Sequence, residues 1–268
     1  SPATGGPLTD EQVRALTPAQ IAAMSTDALN ALTAIQFGSL SAAQAGAMTA
    51  VQLPALETAD LLALSTAAVR GLSAAQVDAL GTGQLALLST AQVASLATAA
   101  VARLTPVHID ALSSTKLVAL TSAQMVALTS TQLAALSTSD LNAFSTAQFA
   151  TLTSAQVVGL TTAQLAALET ADLRALNAAG VGAWNSEQLG ALTPAQIVLL
   201  TTSQFGAFGS DSLAAMSSQQ IAAIETADLR ALNPLALQGW SAAQFDALGT
   251  AQIVALTTSQ VSALGGSQ

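Results

Sequence analysis

Three Glu-x-x-Asp pairs stand out among the residues able to do chemistry: Glu57/Asp60, Glu169/Asp172 and Glu225/Asp228. Three residues is just under one helical turn, so each pair puts two carboxylates on a first turn. Hard oxygen donors placed so could hold Ca²⁺ weakly, shared between adjacent coils of the chain. The favoured reading is plainer: acids at a helix start satisfy free backbone N–H groups and complement the helix dipole. The single histidine, His108, is expected to cap its own helical turn. Ser and Asp are so widespread that a Ser-His-Asp set carries no information. There is no glycine-rich phosphate loop, no metal-ligand spacing and no cofactor fingerprint. We therefore expect no catalytic residue and no cofactor, and no metal beyond those weak acidic candidates; the chain is not expected to be an enzyme.

Composition narrows the partners. The 268 residues are 51% hydrophobic and only 8% charged, with a formal net charge of −9 and six Lys plus Arg. Average globular domains carry about 25% charged residues. A chain this poor in cations cannot neutralise many phosphates, so nucleic acid is not expected as a partner, and anionic membrane surfaces are disfavoured. The absence of Cys excludes disulfides and thiolate metal sites. Mean hydropathy is +0.55, yet Ser, Thr, Gln or Asp interrupts every apolar run well before the ~18–20 residues a membrane span needs. The opening SPATGG has neither part of a secretion signal and reads as a linker within residues 1–8. The closing GGSQ, residues 265–268, fills the first four positions of a further repeat unit, so the chain reads as a segment of a longer array.

The element that must position all these residues is eight residues long. From Leu16 to Leu264 every eighth residue is apolar, without insertion or deletion, mostly Leu with Trp184, Trp240, Phe144, Phe208, Ile224 and three Met as variants. Counting from the residue after each periodic Leu, position 1 is Ser or Thr in 22 of the 32 octads between residues 9 and 264, and position 4 is Gln in 20. Ser/Thr-x-x-Gln is the capping-box spacing, and its recurrence at one register argues for a helix start in every octad. Pro18, Pro106, Pro194 and Pro234 all fall at position 2, the first helical residue, where proline is at home. One continuous helix is excluded: its apolar stripe would drift about 80° per octad, and each internal proline would cost about 3 kcal/mol. Strands would need alternation of period two. The expected fold is therefore all-α, a single solenoid over residues 9–264 of very short helices, about six residues each, without strands.

Positions 5 and 8 should face the interior, with the aromatic residues found there as core. Ala or Gly at position 7 should let a neighbouring backbone approach. Variable position 6 should face out. Isolated helices this short do not form in water, so stability must come from neighbouring octads and grow with their number. A longer period is also present. ETADLRALN occurs at 169–177 and 225–233, and Trp184 and Trp240 share that 56-residue spacing, which is seven octads. Duplication of a seven-octad block is the plainer explanation. The structural alternative is two superhelical turns of 3.5 octads, which would make a rod of about 80 Å at helix spacings of ~8–10 Å.

The motif L-[ST]-x-x-Q-[ILV]-x-A-L resembles short repeats of very large bacterial secreted or surface proteins, often labelled haem-utilisation or adhesion proteins. The resemblance covers nearly the whole chain. It implies an extracellular or cell-surface location and a spacer or adhesin segment of a larger protein. A haem role is not expected, because one histidine and no Tyr leave almost no axial ligands. LTPAQI at 16–21 and 192–197 is similar to the opening of the TAL-effector repeat, but that repeat is four times longer and basic, so DNA binding is not expected. The sequence thus points to a structural stalk, partnered by neighbouring repeats of an array. The alternative is a binding module whose Ser/Thr/Ala exterior contacts glycan, ice or another copy of itself.

Overall fold

The computed structural model of the chain describes residues 7–266; SPATGG at 1–6 and the last two residues of GGSQ lie outside them. Among the described residues there are no strands, and almost every octad holds one helix of four to six residues. The chain forms two compact units, Ser1–Leu128 and Thr129–Gln268.

The octad chemistry builds the helix as the spacing predicts. Position 1 is the N-cap, held in extended conformation; Thr161, for example, has φ −76° and ψ 158°. Its hydroxyl accepts from the N–H of Gln164, and the Gln164 side chain accepts from the N–H of Thr161. Position 8 returns to extended backbone, as at Leu168 with φ −61° and ψ 137°. Two extended residues in every eight turn the corner. No described residue has a positive φ, so the corner requires no glycine.

Two octads depart from the α-helix. In 49–56, Pro54 at position 6 leaves only a 3₁₀ turn, Leu53–Ala55. In 233–240 the expectation that Pro234 opens an α-helix fails. Asn233 Oδ1 accepts from the Leu235 N–H in an Asx turn, and a 3₁₀ turn, Ala236–Gly239, follows. Pro18, Pro106 and Pro194 do occupy the first helical turn. At position 4 Ala236 stands where Gln20, His108 and Gln196 complete a capping box; octads with Ala28, Ala68 and Ala100 at that position are α-helical all the same.

Packing follows the third neighbour. In the first unit, Ala34–Gly38 packs on Thr58–Ala63 and Ala42–Ala45 on Thr66–Arg70. In the second, Ser154–Val158 packs on Ala178–Gly182 and Thr202–Gly206 on Thr226–Ala231. Each pair is three octads apart. Positions 5 and 8 form the core of both units, from Leu61 and Leu85 in one to Leu165 and Ile197 in the other. Position 7 is small for the expected reason. A Cβ on Gly71 would lie 2.3 Å from the carbonyl oxygen of Ala42, and one on Gly239 would lie 2.2 Å from that of Ser210.

Candidate functional site

The column of position-4 side chains is the most highly organised polar feature of the molecule. Gln204 represents it. Its Oε1 accepts from the Thr201 N–H at 2.8 Å, and its own N–H donates to Thr201 Oγ1 at 3.2 Å. That half is the capping box. Its Nε2 then donates to the carbonyls of Leu173 at 3.0 Å and Leu176 at 2.9 Å. Those residues are positions 5 and 8 of the octad four units earlier. Gln92 does the same in the first unit, reaching Leu61 and Leu64 at 2.9 Å each. The octads of a unit are thus packed to the third neighbour and bonded to the fourth, so one coil holds between three and four of them. The spacing argument found the Oε1 half of this role and missed the Nε2 half. The signal was available: a capping box accepts Glu or Gln, yet no octad carries Glu at position 4. Only the amide has protons to give.

Substitutions in this column show the same logic. Lys116 Nζ donates to the Ala86 carbonyl, and Ser212 Oγ donates to the Trp184 carbonyl at 2.7 Å. His108 caps its own turn as expected, its Nδ1 accepting from the Thr105 N–H at 3.4 Å.

The acidic pairs are placed differently from the favoured expectation. Glu57, Glu169 and Glu225 are N-cap residues, but none makes a side-chain cap bond. A Glu side chain is a methylene longer than the residues that close this cap well. Their partners Asp60, Asp172 and Asp228 occupy the Gln column and are buried, pointing at a neighbouring coil. Asp172 accepts from Thr146 Oγ1 at 2.7 Å and Asp228 from Thr202 Oγ1 at 2.8 Å. The hydroxyl belongs to position 2 of the octad three units earlier. For Asp60 that position is Ala34, and Asp60 Oδ2 is buried without a hydrogen-bond partner. Burial and then Glu57 push its carboxyl above the usual Asp range. Asp228 is also raised, by burial first; the Thr202 bond and Arg174 oppose that shift, and Glu225 adds to it. As Ca²⁺ candidates the three pairs remain pairs: among the described residues no three His, Cys, Asp or Glu side chains gather.

The aromatic residues at positions 5 and 8 are packed, as expected. Trp184 and Trp240 are buried, and Phe205 meets Phe208 edge-on at 5.8 Å; Phe245 alone is half-exposed. Trp184 needs local concessions. Its Nε1 donates to the Val157 carbonyl at 3.2 Å, which moves Gln188 Nε2 onto Val158 and Leu160, each at 2.8 Å. Gly180 and Gly182 in the same octad allow close approach of neighbouring coils: Cβ atoms there would fall 2.6 Å from Val157 Cβ and 2.4 Å from the Ala207 carbonyl oxygen. Beside the indole lies a solvent-open notch of about 470 Å³, lined in part by Asn185, Ser186, Ser210 and Asp211. It can accept and donate hydrogen bonds. Asp211 is the one titratable side chain in its lining, so it offers no acid–base pair.

The exterior at position 6 is largely exposed, as expected from its variability, with one refinement. Asn30 and Asn142 reach across to the carbonyls of Ala55 and Ala167 at 2.9 and 2.7 Å. Position 3 exposes Ile35, Val51, Val107 and Leu235. Among the described residues no helix is long and apolar enough to cross a membrane.

A family model described as the ALTTAQ repeat matches residues 8–42, 53–90, 108–138, 134–170, 165–202 and 221–258. No curated protein matches the chain.

Proposed function

We propose a structural function for this chain, which belongs to the ALTTAQ repeat family: a spacer or stalk segment of a bacterial secreted or cell-surface protein of the adhesin kind, partnered by neighbouring repeats. The observation that carries this reading is the commitment of the polar column to the solenoid itself. Gln76, Gln124, Gln164 and Gln252 each spend their amide on two backbone carbonyls of the same unit. Loop excursions from a rigid scaffold commonly carry binding and catalytic residues; the octad register has none. On this reading the chain does no catalysis, holds no cofactor and works outside the cell.

A second reading has its own observation. The exposed Ile35, Val51, Val107 and Leu235 share position 3, each beside an Ala or Pro at position 2, while other octads carry Ser or Thr at that position, and such a surface could contact glycan or ice. Glycan-array binding and ice-recrystallisation inhibition separate the two. A stalk gives no signal in either. A specific signal that disappears when position-2 and position-3 residues are changed to Lys would replace the stalk with the binding module.

A further inference from the structure

The position-4 carboxamides fasten each coil to the one before it, and they are unevenly spread. In the first unit Gln76, Gln84 and Gln92 occupy three successive octads, and each donates to carbonyls 28 and 31 residues back. The next three octads carry Ala100, His108 and Lys116 instead. Ala100 has no donor for the carbonyls of Val69 and Leu72, which that register assigns to it. His108 would address Val77 and Leu80, but its ring is turned back on its own turn, where Nδ1 accepts from the Thr105 N–H. Lys116 Nζ donates to a single carbonyl, that of Ala86. Gln124 then restores the pattern, reaching the carbonyls of Val93 at 2.9 Å and Leu96 at 2.8 Å. Everywhere else in the column a run without Gln is two octads at most, as at Asp60 and Ala68 or Asp172 and Gly180. With three to four octads to a coil, only the seam between octads 65–88 and octads 97–120 lacks carboxamides over nearly a whole coil.

We propose that the first unit parts first at this seam, which gives the chain an internal release point. Apolar packing does cross it: Thr98–Val101 packs on Ala74–Ala79, and Val101, Ile109 and Leu117 are buried. What is missing is the polar half of the coupling between stacked repeats. Repeat arrays are held by nearest-neighbour interface energies, and local opening follows the weakest interface. The helices on the later side, Thr98–Val101, Pro106–Asp110 and Ser114–Val118, are far too short to persist without a coil to pack on. Parting therefore costs them their protection from solvent. Octads 73–96 keep their own carboxamides on the coil before them. The order of opening is a property of the column and does not rest on the stalk reading; in a stalk, this seam is where tension is released first.

Hydrogen exchange of the full chain under native conditions, read amide by amide by NMR, tests this. The position-5 and position-8 amides are bonded to backbone carbonyls in both sets of octads, so they make a matched comparison. Those of octads 97–120 should exchange about tenfold faster than those of octads 73–96, roughly the factor one net hydrogen bond supplies. His108→Gln with Lys116→Gln replaces two long side chains by carboxamides. It should slow exchange in octads 97–120 by about the same factor and leave octads 33–56 unchanged. Equal exchange in the two sets of the wild-type chain overturns the proposal. So does a doubly substituted chain of native circular dichroism whose octads 97–120 exchange as fast as before, because the carboxamides would then not be what distinguishes the seam.

Discussion

At the scale of the residue, the decisive group is the carboxamide at position 4, because it is acceptor and donor at once. Gln204→Glu should keep the cap, lose both carbonyl bonds and bury a charge, lowering stability by about 2–3 kcal/mol in urea denaturation. Gln20→Glu, at an exposed position without those bonds, should change stability by less than about 0.5 kcal/mol. Asp60 is the column's weak point. A buried carboxyl raised above its unfolded value binds its proton more tightly in the folded state. Stability at this site is therefore lost as pH rises from the unfolded pKa through the folded one, and the full cost applies above it. Asp60→Gln removes that cost and supplies an amide. It should raise stability by about 1–2 kcal/mol near pH 7, and the gain should shrink on acidification to about pH 3, below the ordinary Asp range. Melting curves at the two pH values check this. Ala34→Thr should give Asp60 the hydroxyl that Thr146 gives Asp172, lowering the Asp60 pKa in an NMR titration.

At the scale of the element, each helix is too short to stand alone and is defined by its two ends. Position 2 has a free N–H by geometry, and position 1 is already extended, the conformation proline demands of the residue before it. Thr162→Pro should accordingly stabilise by about 0.4–1 kcal/mol through the unfolded chain. Leu165→Ala, three residues on and fully buried, should cost about 2–5 kcal/mol. Both are read by thermal or urea unfolding. Pro234 marks the limit of the sequence rule. Proline at position 2 is compatible with an α-helix but does not ensure one: octad 233–240 forms a 3₁₀ turn, while Thr98–Val101 is α-helical with no side-chain cap at all.

At the scale of each unit, coherence comes from a fixed offset: helices pack on the third octad along and most position-4 Gln side chains bond to the fourth. The 56-residue spacing carries a contact with it: Asp172 and Asp228 recur with their partners Thr146 and Thr202, which lie outside the repeated ETADLRALN string, whereas Asp60, two such spacings before Asp172, has Ala34 at the corresponding position and no hydroxyl partner. The offset also predicts what can be cut. Deleting one octad, residues 161–168, exchanges every partner for a chemically similar one, so a cooperative melt should survive with a modestly lower midpoint. Deleting residues 161–164 puts position 4 opposite position 8 and should abolish cooperative unfolding, as followed by circular dichroism.

The sequence by itself determined the repeating element. Helix start, N-cap, interior positions, small position 7 and the outward position 6 were all legible, because each depends on residues fewer than eight apart whose pattern recurs many times. His108 as a cap and the aromatic residues as core followed from the same register. Tertiary structure alone decided which octads meet. Only that placement turned the Gln amide from a local cap into a bridge 28 to 31 residues long, turned Asp60, Asp172 and Asp228 inward, and left Asp60 without a hydroxyl. A capping box is satisfied within its own turn, so its spacing says nothing about the second half of the side chain. The coil geometry sets where that half points.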